Sequence, residues 1–316
     1  MTTDRRTFVA LGAAAGLAAM SGMAMAQDFR AAVVLPGSIT DQSFNQVVYE
    51  GLVKAKERLG IEVAFSEKVK QADQVSAMSD YARRGYDVVI GAGGEFTAAA
   101  ERVARQNPDA MVVVINGAPT EGIATFNYNN PHFGYVLGYV TGRMSETGNA
   151  GIVGGQEFKA FLDLVEGFRK GWAAGGATGE AMVTYTDDWD DVAKAKEATL
   201  NLINQGADVV MPYLDNGSVG VIQAAEESGI WVAGLFADLG KSVPETNLAS
   251  TVLDFSEATA QAIQMAHEGT LERKNYEFDV GSKAGYLGTL HSSVPEEVRA
   301  EVEAIIAEMQ AGTFEM

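Results

Sequence analysis

The sequence predicts a two-lobed α/β protein in which each lobe is built on a parallel sheet covered by helices on both faces. Three observations carry that expectation. Short β-branched apolar runs alternate with segments of helical spacing along most of the chain. The alternation falls into two series, 31–115 and 133–236, each too small to be a whole enzyme fold. Polar loops bearing an aromatic residue follow several of the strands, at the carboxyl ends where open α/β sheets bind ligands.

The first strand, 31–35, leads into Gly37-Ser38-Ile39-Thr40-Asp41-Gln42-Ser43-Phe44-Asn45-Gln46 and then a helix over 47–59 that stops at Gly60. A carboxylate, a hydroxyl, a ring and an amide fall within five residues of this loop, the groups that hold a small, flat, polar molecule. A strand at 61–65, a helix at 72–84 and a short buried strand at 87–90 follow, then a helix at 96–106 and a strand at 111–115. The second series starts after Phe126-Asn127-Tyr128-Asn129-Asn130-Pro131. Its helices are expected at 133–144, 162–174, 192–205 and 219–228, and its strands at 150–153, 181–186, 208–212 and 231–236. The strand 249–253 and helix 257–267 read as a return to the first lobe, and the last helix spans 296–309. Crossings between lobes are expected near 126–131, 238–250 and 279–287. The lobes are therefore drawn as 27–128 plus 248–282, and 129–247 plus 283–316. No Pro/Ser-rich tether marks the crossings, which favours a multi-stranded hinge.

The N-terminus points to export. Arg5-Arg6 precedes Thr7-Phe8-Val9 and an Ala/Gly-rich apolar run, and Ala24-Met25-Ala26 has the form of a signal-peptidase site. Residues 1–26 read as a twin-arginine-like signal, with an ordinary Sec signal as the alternative. A membrane anchor fits less well, because the run is short and broken by glycines. Removing 1–26 takes away Asp4, Arg5 and Arg6 and moves the formal charge from −19 to −20. So acidic a protein is a poor partner for nucleic acid or an anionic membrane. With no cysteine there is no disulfide, thiolate metal site, cysteine nucleophile or lipidated cysteine. The expectation is a free, periplasmic monomer.

No chemistry-bearing constellation emerges. Gly91-Ala92-Gly93-Gly94 lacks the ending of a P-loop and the spacing of a dinucleotide fingerprint, so it reads chiefly as a turn that starts the next helix close to the sheet. His132, His267 and His291 stand apart in the sequence, so no metal is expected. No nucleophile elbow and no acid–base set is present, so neither catalysis nor a cofactor is expected. Thr186-Asp187-Asp188-Trp189-Asp190-Asp191 mirrors the opening loop, with acids and one ring at a strand's end. A helix start would explain its acids through the dipole but not its indole. Tyr213-Leu214-Asp215-Asn216-Gly217-Ser218 and Phe236-Ala237-Asp238-Leu239 also follow strands. Phe44 and Trp189, one ring per lobe, would sandwich a planar ring across the cleft.

These residues resemble the basic membrane protein family of ABC-transporter substrate-binding proteins, which includes purine-nucleoside receptors. The resemblance rests on Asp41-Gln42-Ser43-Phe44-Asn45-Gln46, Phe133-Gly134-Tyr135-Val136-Leu137-Gly138 and Gly151-Ile152-Val153-Gly154-Gly155. It also rests on Val165-Glu166-Gly167-Phe168, Asp191-Val192-Ala193-Lys194-Ala195-Lys196-Glu197 and Gln205-Gly206-Ala207-Asp208-Val209-Val210. It implies a type I periplasmic-binding-protein fold that closes like a hinged clamp. It also implies base stacking on Phe44 and Trp189, a ribose contact at Asp238, a backbone contact near Gly217 beside Asn216, and polar contacts from Asp41, Ser43 and Asn45. The chain departs from the family's pattern in three ways. Leu253 stands where nucleoside-binding members carry a lysine, Trp189 where they carry phenylalanine, and the lipid-bearing cysteine of many members is missing. The expected function is capture of a purine-type ligand, nucleobase or nucleoside, and delivery to an inner-membrane ABC permease. An exported nucleoside-processing enzyme, or a binding protein of the same fold for a sugar or other small polar ligand, are the alternatives.

Overall fold

The structure, a computed structural model, describes residues 29–40 and 44–316. The expected export signal, and Asp41, Gln42 and Ser43, lie outside the described residues.

The first lobe is a wholly parallel sheet. Its strands are β1 (Arg30–Val34), β2 (Glu62–Ser66), β3 (Val88–Ala92), β4 (Met111–Ile115) and β5 (Ala124–Tyr128), with β11 (Asn275–Phe278) added at the edge. Their order is β11-β5-β4-β3-β1-β2. The second sheet repeats that order as β12-β10-β9-β8-β6-β7. Its strands are β6 (Ala150–Gly154), β7 (Ala181–Tyr185), β8 (Val209–Tyr213), β9 (Trp231–Phe236), β10 (Asn247–Leu253) and β12 (Gly285–Leu287). Only β12 runs antiparallel, against β10. Continuous apolar strands such as β3 and β8 are buried along their whole length, as parallel strands covered on both faces must be. In each sheet the strand order reverses between the first and third strands, β1/β3 and β6/β8. Open sheets of this kind bind ligands outside the carboxyl ends at that switch.

In the first lobe, α1 (Phe44–Leu59), α2 (Gln74–Arg83) and α3 (Thr97–Gln106) cover the sheet, with α8 (Phe255–His267) returning to pack on α1. In the second, the helices are α4 (Asn130–Met144), α5 (Lys159–Ala174), α6 (Val192–Asn204), α7 (Ser218–Ser228) and α9 (Glu296–Ala311). The closest helix pair is α4 with α5. Gly134, Gly138 and Gly142 face α5, and Gly167, Gly171 and Gly175 face α4. A Cβ added at any of these six would stand 1.9–2.5 Å from a backbone carbonyl oxygen of the partner. Glycine costs about 0.5–1 kcal/mol in a helix relative to alanine. Here it lets two backbones touch. One glycine, Gly51, does the same for α1 against the Ser256 carbonyl of α8. That pair is also held by Glu257, which takes Arg58 at 2.9 Å and Lys54 at 3.3 Å.

Three chain segments join the lobes: after β5, between β10 and α8, and between β11 and β12. The second differs from expectation. The run 248–253 lies in the second sheet, paired with β9 and β12, so the chain crosses at Asp254 and not within 238–250. All seven residues of β10 are buried, which requires neighbours on both edges, but an apolar run does not say which sheet supplies them. Strands β5, β11 and β12 were not expected. They are three to five residues long and, in β5 and β11, carry Asn127, Asn275 and Glu277, so their patterns resemble loops. The crossings are laced together. The Asn129 amide donates to the Phe278 carbonyl at 2.9 Å, and the Asp254 amide to Ala284 at 2.7 Å. His132, expected to stand alone, has its Nδ1 2.7 Å from Asp279 Oδ2, with the Asn129 side chain bridging both. That partner is 147 residues away in sequence, beyond the reach of any local motif.

Candidate ligand-binding cleft

The loop after β1 is shaped by two side chains. Asn45, on the first turn of α1, accepts the Gly37 amide on Oδ1 at 2.9 Å. A Cβ at Gly37 would stand 2.4 Å from Asn45 Nδ2, so only glycine fits beneath that amide. Glu67, just beyond β2, accepts the Ile39 amide at 3.0 Å and the Ser38 hydroxyl at 3.2 Å. The Ile39 hydrogen bond, with help from Ser38 and Lys68, holds the Glu67 carboxyl below its usual range against the opposing effect of burial. Asn45 thus ties the start of α1, where Phe44 stands, to this loop. Phe44 is half-buried, edge-on to Phe255 at 5.0 Å. Asp41 and Ser43, also expected in this site, are among the residues not described.

The loop after β7 is built from its own side chains. Asp188 Oδ1 accepts the amides of Asp190 at 2.8 Å and Asp191 at 3.1 Å, and the Thr186 hydroxyl donates to the Asp188 carbonyl. Asp191 caps α6 by accepting the Lys194 amide at 2.9 Å. Asp187 takes a left-handed conformation, φ 54°, which aspartate tolerates. The Trp189 carbonyl accepts the amides of Asp215 at 3.1 Å and Gly217 at 3.0 Å, and the Asn216 amide donates to Asp190 Oδ1 at 3.3 Å. Gly217 therefore supplies backbone to the frame of the loop after β7, and a Cβ there would stand 3.0 Å from the Trp189 carbonyl oxygen. Asn216 stays exposed.

Core packing accounts for part of the Trp189 indole, which a helix start does not explain. It is half-buried and packs against apolar clusters on both faces of the second sheet. It also lies flat over Gly155, at the end of β6, where an added Cβ would stand 2.3 Å from its Cε3 atom. The sequence shows the glycine and the tryptophan, but not that one is the seat of the other.

Phe44 and Trp189 do not touch. A run of rings leads from one to the other: Phe44 to Phe255, Phe255 to Phe236 at 6.4 Å, Phe236 to Tyr213 at 4.8 Å and Tyr213 to Trp189 at 6.5 Å. Phe158, more than a third exposed at the start of α5, adds a ring edge-on to Trp189 at 5.9 Å. Sequence reasoning did not single out Phe158 or Phe255. The available signal was position, since both stand at a helix start close behind a strand's carboxyl end. Burial pushes the Tyr213 phenol above its usual range, and the charge of Asp215 adds to the effect.

Asp238, expected near a ribose, has both carboxylate oxygens engaged. Oδ1 accepts the Thr289 amide and Oδ2 the Thr289 hydroxyl, each at 2.9 Å, and Lys241 Nζ stands 3.3 Å from Oδ2. Burial alone would raise this carboxyl, but the bonds from Thr289 and Lys241 outweigh it and hold it below its usual range. Leu253, at the end of β10, is buried in the apolar cluster that runs through both lobes. Gly91 and Ala92 end β3, and Gly93, at φ 101°, turns the chain so that Phe96 packs back over Gly91. Among the described residues no group of three or more His, Cys, Asp or Glu is arranged to hold a metal ion.

Against known families, residues 29–310 match the Bmp family, described as ABC transporter substrate-binding protein PnrA-like. The Transcriptional activator protein med of Bacillus subtilis (strain 168) is 26% identical over 276 residues, which cover 87% of this chain and 86% of that protein. A purine-binding protein of Brucella abortus (strain 2308) is 25% identical over 255 residues, 80% of this chain and 72% of that one. Among solved structures, a transcriptional activator of the comK gene from Bacillus halodurans superposes with a TM-score of 0.79 at 27% identity, covering 91% of this chain and 100% of its own. The chain belongs to the Bmp family of ABC-transporter substrate-binding proteins and has the type I periplasmic-binding-protein fold. No helix among the described residues is long and apolar enough to cross a membrane.

Proposed function

We propose that this protein binds a purine-type ligand, nucleobase or nucleoside, between its lobes and presents it to an ABC permease in the inner membrane. The observation that carries the reading is the aromatic run from Phe44 to Trp189 across the carboxyl ends of both sheets. A planar heterocycle lying between the two jaws would stack on both rings, at roughly 1–3 kcal/mol per ring. Hydrogen bonds from Asp41, Ser43, Asn45, Asn216 and the Gly217 backbone would then choose among heterocycles, because an unmatched buried polar group is costly. The purine-binding relative supports the ligand class. Closure of the lobes over the ligand would create the form that the permease distinguishes. The protein acts from the periplasm as a monomer and does no chemistry on its ligand.

A thermal-shift screen of nucleobases, nucleosides, sugars and amino acids tests the reading. A rise in melting temperature with purines or their nucleosides, and none with sugars or amino acids, is expected. A screen in which no purine compound stabilises the protein overturns the ligand class, and release of free base from a nucleoside overturns the binding-protein role.

A further inference from the structure

Phe236 has no assigned role, and its backbone is unusual. It closes β9 at φ 70°, in the left-handed region. The other non-glycine residues with positive φ among the described residues are Lys68, Asn116 and Asp187. Asparagine and aspartate enter this region readily, whereas a bulky aromatic there is a genuine outlier. Such a conformation persists only where the surroundings over-determine it, and such places cluster at ligand clamps. The surroundings here are specific. Val252 of β10 pairs with Phe236, the Leu239 amide donates to Ser250 Oγ at 3.1 Å, and Asp238 is fixed by Thr289. The left-handed turn takes the ring out of the strand's regular alternation. It is left half-buried against Tyr213 at 4.8 Å and Phe255 at 6.4 Å. Phe236 is thus the middle ring of the five that lead from jaw to jaw.

We propose that Phe236 is a ligand-contacting, specificity-determining residue, the apolar floor between Phe44 and Trp189, which selects a bare planar heterocycle over the same heterocycle carrying a sugar. The inference rests on the purine reading and narrows it. A sugar would bring hydroxyls against an aromatic floor, and buried hydroxyls without partners are penalised. The neighbouring groups do not relieve that penalty: Asp238 is satisfied by Thr289 and Lys241, and Leu253 is apolar and buried.

The test uses the whole mature protein, with hypoxanthine, adenine and guanine as probes beside inosine, adenosine and guanosine. Phe236→Gly and Phe236→Asn both accept the left-handed backbone and remove the ring, and Phe236→Tyr keeps it. Wild type should bind a free base at least roughly tenfold more tightly than its nucleoside. The Gly and Asn variants should lose roughly tenfold in base affinity and most of that preference, while their melting temperature falls only modestly, because relief of the backbone strain offsets part of the lost ring packing. The Tyr variant should retain the preference. Affinity is read on the folded fraction, so a change in stability does not blur it. If a purine binds wild type but both ring-less variants bind it within about twofold, or if wild type prefers the nucleoside, the inference falls and the purine reading stands. If no purine compound binds wild type, the reading falls and the inference with it.

Discussion

In the first lobe the jaw loop is held from outside itself. Glu67, from beyond β2, takes its amide and hydroxyl, and Asn45 closes its base from α1. In the second lobe the jaw loop holds itself through Asp188, and the neighbouring β8 loop takes up the carbonyl of Trp189. The rings differ in the same way. Phe44 leans on Phe255 and the large apolar cluster, while Trp189 is seated on Gly155 and packed against that cluster and a second one on the other face of its sheet. The second jaw is therefore a built platform whose ring carries part of the lobe's stability. The first is a lighter arm, anchored by Glu67 and Asn45 and packed on one cluster only.

That contrast can be broken in graded steps. Trp189→Ala should have the largest effect: roughly tenfold or more in affinity from lost stacking, and about 2 kcal/mol of stability from a half-filled cavity. The melting temperature should fall by roughly 4–8 °C, and calorimetry with and without ligand reads both losses. Phe44→Ala should cost roughly tenfold in affinity but only about 1 kcal/mol in stability. An equal loss of stability in the two would erase the distinction between platform and arm. Gly155→Ala leaves the indole in place chemically but lifts it from its seat. It should weaken binding several-fold, on the order of 1 kcal/mol, and shift the Trp189 fluorescence, and unchanged emission would mean the seat is not what positions the ring.

The smallest effect is a pH dependence. The folded-state Glu67 carboxyl is depressed, first by the Ile39 amide. Its contribution is therefore fully present above the ordinary glutamate range and is lost as pH falls through the depressed value. Ligand affinity should decline over that acid window in wild type and decline less steeply in Glu67→Gln, as titrated by ligand binding. Parallel acid limbs in the two proteins would remove Glu67 from the positioning of the first jaw.

Much of the fold was legible because its strands are continuous apolar runs and its helices keep a clean period. What was not legible depends on pairing. β10 reads as a strand anywhere, and only its pairing with β9 and β12 places it in the second lobe. Strand β11, Asn275–Phe278, is a strand only because β5 lies beside it. The candidate site divides in the same way. Phe44 and Trp189 could be nominated from rings in polar loops. Their separation, the intervening run through Phe255 and Phe236, and the engagement of Asp238 by Thr289 arise from contacts between distant segments. The left-handed backbone at Phe236 has no signature in Leu235-Phe236-Ala237-Asp238, because it is imposed by what surrounds it.

The three crossing segments carry one more implication. Each is tied sideways to another, through Asn129 to Phe278, His132 to Asp279 and Asp254 to Ala284. Three straps fastened along their length resist shear and torsion together and leave bending about the line that joins them as the soft coordinate. A closing motion would then be constrained to one arc, which would bring Phe44 to the same height relative to Trp189 at every closure. Registration of the two rings would on this account be a mechanical property of residues 128–130, 253–255 and 278–285, none of which has to touch the ligand.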